Sequence, residues 1–285
     1  MRISVKFDQS FEYPELEQLW RVADRLGFPS LWDYDHFYGP AEHPAPTYEG
    51  WTTLAAMAAV TERARIGCLV SGVTYRHPAI LAKMAVTVDH ISGGRLDFGI
   101  GAGWHEAEHR GYGISLPSPG IRVAMVDEAL TVIRRLWTQD SVTFKGQFFT
   151  LENALCEPKP LQQPHPPIVV AGTEPKMLQV IARHADIWNM PGHEGPQRWQ
   201  AVNARLDEAC VDVGRDPADV RRSAQLSLHP AVPDDVDEQL ALLPEFERLG
   251  CQHIVLAFRQ PPTTALLERC VALDSPSATP PTVAL

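Results

Sequence analysis

Residues 97 to 113, Asp97-Phe98-Gly99-Ile100-Gly101-Ala102-Gly103-Trp104-His105-Glu106-Ala107-Glu108-His109-Arg110-Gly111-Tyr112-Gly113, can be read in two incompatible ways. His105 to His109 match the H-E-x-x-H pattern, in which one helix face carries two zinc-binding histidines and Glu106 would be the general base. Yet the residues before them, Leu96 to Ile100, form an apolar run of strand character, and Gly101 and Gly103 then make a turn. That context is a strand ending in a ligand-binding loop at the mouth of a barrel.

Three features weigh against zinc. The apolar run is a strand closed by glycines rather than a helix carrying His105. Gly111 and Gly113 would end any helix almost at once. Glu128, nineteen residues after His109 and so a possible third ligand, belongs to a helical stripe of Val123, Val126, Ala129, Leu130 and Ile133, at its edge. Gly99 to Gly103 also fails the dinucleotide fingerprint, because Trp104 stands where the third glycine is required.

Working outward, short apolar runs alternate with amphipathic stretches. Strands are expected at Ile3–Phe7, Ser30–Trp32, Arg65–Val70, Arg95–Ile100, Pro167–Ala171, Asp186–Asn189, Ser223–Leu228 and His253–Ala257. Helices follow each, the first with Leu16, Leu19, Trp20, Ala23 and Leu26 on one face and Gly27 as its stop. The last two helices are expected at Val236–Leu249 and Thr264–Leu273. Val142 to Leu151 interrupts the rhythm and reads as a hairpin inside an insertion of about 138–166. Eight such units with one insertion after the fourth predict a (β/α)8 barrel over 1–273. Residues 274–285, rich in proline and serine, read as a disordered tail.

The 285 residues carry a net charge of −10 and no basic run longer than a pair, which argues against a nucleic-acid surface. No apolar stretch nears the ~18 residues that span a bilayer. Five scattered cysteines without C-x-x-C spacing read as reduced thiols of a cytoplasmic protein.

Barrel active sites sit at the C-terminal ends of the strands. That rule gathers Asp8, Asp33 to His36, Ser71, Gly101 to Trp104, Gly172-Thr173, Asn189, His229 and Arg259 at one mouth. The mix suits a large planar, partly anionic ligand better than a metal. Gly172-Thr173 before Pro175 at a helix start leaves backbone N–H groups for a phosphate.

With those residues placed, the chain resembles the luciferase-like flavin and deazaflavin oxidoreductases over roughly residues 1 to 260. The resemblance is carried by Leu26-Gly27-Phe28-Pro29-Ser30-Leu31-Trp32, Asp35-His36, Arg76-His77-Pro78-Ala79, Leu81-Ala82-Lys83 and Ser92-Gly93-Gly94-Arg95-Leu96. It continues in Gly99 to Trp104, Glu157-Pro158-Lys159-Pro160 and Ala185-Asp186-Ile187-Trp188-Asn189. It implies a non-covalent tricyclic cofactor, coenzyme F420 or alternatively FMN, lying against a bulge on strand three with a non-proline cis peptide near Cys68-Leu69. It further implies that Asp35 and His36 contact the ring or the substrate, and that Gly172 and Thr173 receive the phosphate-bearing tail. Some deazaflavin members carry a glutamate proton donor where this chain has Trp104. His36 is therefore expected as the general acid or base, with Trp104 walling the substrate side. Ser71, Cys68, Leu69, Gly101, Ala102 and Gly103 are expected around the ring. The expected enzyme is a cytoplasmic homodimer acting on a small molecule, with no metal, nucleic acid or membrane partner.

Overall fold

Each apolar run forms a strand and each amphipathic stretch a helix in the structure, a computed structural model that describes residues 1–39 and 46–274. The strands are β1 (Arg2–Phe7), β2 (Ser30–Asp33), β3 (Arg65–Cys68), β4 (Ser71–Gly72), β5 (Leu96–Gly101), β6 (Val142–Lys145), β7 (Thr150–Ala154), β8 (Ile168–Ala171), β9 (Ile187–Pro191), β10 (Arg221–Leu228) and β11 (His253–Phe258). The helices are α1 (Tyr13–Leu26), α2 (Gly50–Val60), α3 (Pro78–Ser92), α4 (Glu106–Gly111), α5 (Pro119–Thr138), α6 (Pro175–His184), α7 (Gly195–Asp212), α8 (Asp235–Ala241), α9 (Leu243–Arg248) and α10 (Thr264–Val271).

Parallel pairing runs β3-β2-β1-β11-β10-β9-β8-β5, and β3 pairs with β5 to close the ring. This is a closed (β/α)8 barrel, with β4 continuing β3 after a two-residue interruption. The antiparallel hairpin β6–β7 is the insertion, and it follows the fourth unit as expected. Glu128 holds it: the carboxylate accepts the N–H groups of Gln147, Phe148 and Phe149 at 2.7–2.9 Å. The carboxylate of the third-ligand candidate thus serves a turn.

Three sequence expectations need adjusting. The helix expected over Val236–Leu249 is two short ones, with Pro244 in the first turn of α9. The cis peptide is Leu69–Val70, one bond beyond the expected Cys68–Leu69. Of the expected tail only Asp274 is described; it accepts from Arg2 Nε and Ile3 N. Residues 275–285 lie outside the described residues.

Alternate residues of each strand face the barrel interior. At the lower end these are polar and bonded to one another. Trp32 Nε1 donates to Ser30 Oγ (2.9 Å), which meets Ser4 Oγ (2.7 Å); His253 bridges Ser4 (2.8 Å) and Ser223 (3.2 Å), and Asn189 donates to Ser223 (2.9 Å). Burial lowers His253 to about 3, so the imidazole is neutral at physiological pH. Trp32, Leu69, Val169, Ile187 and Val255 form an apolar cluster with it inside the barrel. The second, larger core lies between strands and helices and holds Trp51, Phe98 and Trp137.

Candidate active site

The glycines of the opening stretch have a packing explanation. A Cβ at Gly99 would lie 1.9 Å from the Cys68 carbonyl oxygen, and one at Gly101 would lie 2.7 Å from Val70 Cγ2. Both positions must lack side chains for the interruption between β3 and β4 to lean onto β5. The result is a wall of backbone and small side chains. Val70, Ala102 and Gly103 are half-buried along it, and Gly172 and Thr173 are half-buried across the mouth. A flat, largely side-chain-free wall is the shape a planar ring requires. No side chain caps the first turn of α6, so its leading N–H groups remain for an anionic tail, although the Glu174 carboxylate stands at the same end.

His36 is the centre of the polar network. Its Nδ1 lies 3.0 and 3.2 Å from the two carboxylate oxygens of Glu108. Glu108, fully buried, also accepts the N–H groups of Phe37 (2.8 Å) and Tyr38 (2.9 Å) and the Tyr75 hydroxyl. Burial works to raise its carboxyl, but the His36 and Tyr75 hydrogen bonds outweigh it and hold the group near about 2. An ionised carboxylate can only accept, so Nδ1 of His36 carries a proton and Nε2 is the atom left for chemistry. Among the described residues Nε2 has no partner. Tyr75 is pushed above the usual tyrosine range, first by burial and then by Glu108.

Other expected residues lie at varied depths. Trp104 is 63% exposed, its ring 5.4 Å from His36 and 4.9 Å from His105. Asp35 is buried, and both its oxygens are taken by Arg76 at 2.5 and 3.0 Å; Arg76 also contacts Glu49. Ser71 is fully buried and accepts from Trp51 Nε1 at 2.8 Å, on the helix side of the strand. Cys68 belongs to the same outer layer, its thiol pushed up by burial and then by the charge of Asp33, whereas Leu69 faces the interior. All five cysteines are buried and unpaired.

The H-E-x-x-H residues do not converge. His105 is the N-cap of α4, accepting from Glu108 N. His109 is buried, with Nε2 2.7 Å from Thr74 Oγ1 and Nδ1 2.8 Å from the His105 carbonyl. The missed residue is Glu108. It lies inside the pattern first read for zinc, and its carboxylate is hydrogen-bonded to His36. Nothing in its immediate sequence announces this, because its partners are 33 to 72 positions away.

The luciferase-like monooxygenase family model matches residues 3–263, and the chain belongs to that family. An uncharacterised protein of Mycobacterium tuberculosis is 36% identical over 186 residues, 59% of this chain and 64% of the relative. A phthiodiolone/phenolphthiodiolone dimycocerosates ketoreductase of the same organism is 33% identical over 240 residues, 77% of this chain and 62% of the relative. The chain thus spans slightly under two thirds of these curated relatives. Among solved structures, an F420-dependent secondary alcohol dehydrogenase bound to an F420-acetone adduct superposes with a TM-score of 0.81 at 20% identity, covering 95% of this chain and 98% of the other. A Streptomyces bottropensis monooxygenase gives 0.75 at 22% identity, with 96% and 97% covered. Coenzyme F420-dependent tetrahydromethanopterin reductase of Methanopyrus kandleri gives 0.78 at 17%, with 96% and 98% covered. No helix among the described residues is long and apolar enough to cross a membrane.

Proposed function

We propose that the chain is an oxidoreductase that interconverts a carbonyl and an alcohol on a small organic molecule, with coenzyme F420 as hydride partner. The observation that carries this is the His36–Glu108 pair at a barrel mouth, with Nε2 unengaged and a flat wall beside it. Val70, Ala102, Gly103, Gly172 and Thr173 would hold the cofactor, which when bound supplies or accepts the hydride. The remaining work belongs to side chains. Glu108 fixes the His36 tautomer, and Nε2 gives a proton to a carbonyl oxygen being reduced, or takes one from an alcohol being oxidised. Glu108 favours the protonated ring as that proton arrives. Asp35 acts through Arg76, steadying the loop that carries His36. Trp104 shields the substrate side from water.

An FMN-dependent monooxygenase is the second reading; the Streptomyces bottropensis neighbour is a monooxygenase. Titrating purified protein separately with the two cofactors decides between them. Deazaflavin fluorescence should respond at micromolar protein, with FMN binding weaker by about tenfold, or ~1.4 kcal/mol. Equal or tighter FMN binding overturns the cofactor assignment.

A further inference from the structure

Beside β2, strands β1, β10 and β11 carry a second polar group that hydride transfer leaves without a task. Lys6 points into the interior and is 6% exposed. Its ammonium donates to Gln225 Oε1 at 2.5 Å, a neutral acceptor, and stands 5.8 Å from the centre of the Tyr34 ring. Among the described residues no carboxylate lies within ion-pair distance of it. Arg259, the next inward position after Ala257, makes two long contacts: 3.4 Å to Asp8 Oδ2 and 3.3 Å to Ser227 Oγ. Asp8 is itself shared, since its other oxygen accepts from the Tyr34 hydroxyl at 2.6 Å and from Ser10 N and Oγ.

The carboxylate nearest Arg259, Asp8, is therefore already engaged, and Asp33 acts on Lys6 only from beyond ion-pair distance. Buried charges are tolerated when paired and hydrogen-bonded. Here an ammonium has one neutral partner and a guanidinium has donors in reserve, both toward the C-terminal ends of the strands. We propose that Lys6 and Arg259 form a subsite for a carboxylate carried by the organic substrate. Burial first, and the Arg259 charge next, bring Lys6 down to about 7, against Cys68, Asp8 and Asp33, which hold it up. An incoming carboxylate supplies the missing counter-charge.

The position also limits size. The Tyr34 ring separates the two groups, 5.8 Å from Lys6 Nζ and 5.6 Å from the His36 ring. A molecule held by Lys6 and presenting its reacting oxygen to His36 therefore bridges at most about 11 Å. Short oxo acids and hydroxy acids fit that span. The word substrate rests on the functional reading above; the subsite itself is testable without it.

The probe is formate, the smallest carboxylate, added to the purified chain and compared with chloride at equal ionic strength. Formate should raise the melting temperature above the chloride control in the wild type. Lys6→Met and Arg259→Gln should each weaken formate binding by about tenfold. No formate-specific gain in the wild type, or an undiminished gain in either variant, overturns the subsite. Should Lys6→Met fail to fold, Arg259→Gln carries the comparison, its side chain being partly exposed. Repeating the titration with saturating F420 separates the sources. Formate bound alongside F420 supports a substrate carboxylate, whereas formate displaced by it assigns the subsite to the cofactor and sinks the proposal. Failure of F420 to bind, with the formate gain intact, counts against the functional reading alone.

Discussion

Around Trp32, the chain of hydrogen bonds from Ser30 through Ser4, His253 and Ser223 to Asn189 meets its needs from within. By contrast, His36 keeps a ring nitrogen without a partner, and Lys6 and Arg259 keep donors in reserve. Both sets are polar and each includes a histidine. What separates them is whether every valence is filled by the protein: a filled network specifies the fold, and an unfilled one waits for a ligand. Removing a member of the first should therefore cost stability, and removing a member of the second should cost activity.

The largest effect is expected at His36. His36→Ala should lower turnover by about 10²–10⁴-fold, with the melting temperature nearly unchanged, since a half-buried mouth residue contributes little to packing. Glu108→Gln should cost about tenfold and shift the pH–rate profile, because an amide cannot stabilise a protonated imidazole as a carboxylate does. A turnover loss without a changed profile would reduce Glu108 to a loop anchor for Phe37 and Tyr38.

His253→Leu tests the other end. It takes one of the two hydrogen-bond partners from each of the Ser4 and Ser223 hydroxyls, at a cost of ~1–3 kcal/mol in denaturant unfolding, with cofactor affinity retained. Its pH signature follows from linkage. The folded-state value, about 3, is depressed below the usual 6.5, so between these values the unfolded chain binds a proton that the folded chain refuses. Stability from this residue is present above ~6.5 and is lost as pH falls toward about 3; the variant should lack that slope. Glu108, at about 2, adds a further loss below the normal glutamate range in the wild type and His253→Leu alike. His109→Ala should sacrifice ~1–3 kcal/mol through Thr74 and the His105 carbonyl while leaving turnover intact. Loss of activity with release of zinc would revive the discarded metal reading. The smallest change is expected from Trp104→Ala, within ~0.5 kcal/mol of wild-type stability, with a several-fold rise in KM as its signature.

The strands were legible because each is a short apolar run set off by glycines, prolines or polar residues, and burial on both faces leaves such runs little freedom. The H-E-x-x-H match was weakened by the same local evidence, Gly101 and Gly103 before it and Gly111 after it. Which way a strand-end side chain points was not legible. Ser71 and Cys68 turn toward the helices while Leu69 turns inward, because the chain is interrupted between β3 and β4 and simple alternation does not carry through. Glu108 and Lys6 were illegible for a different reason. Their roles are defined by partners tens to hundreds of residues away, such as Tyr75 or Arg259, and sequence spacing has no access to those distances.

The exposure of Trp104 has an optical consequence. The other six tryptophans, at 20, 32, 51, 137, 188 and 199, are all buried. Their emission belongs to an apolar surrounding, while Trp104 alone emits from contact with water. The long-wavelength edge of the intrinsic fluorescence is thus a signal from the mouth, with a histidine ring 5.4 Å away to modulate it. An occupant of the site should blue-shift or quench that edge and spare the rest of the band. The chain carries its own reporter of occupancy, readable without any dye.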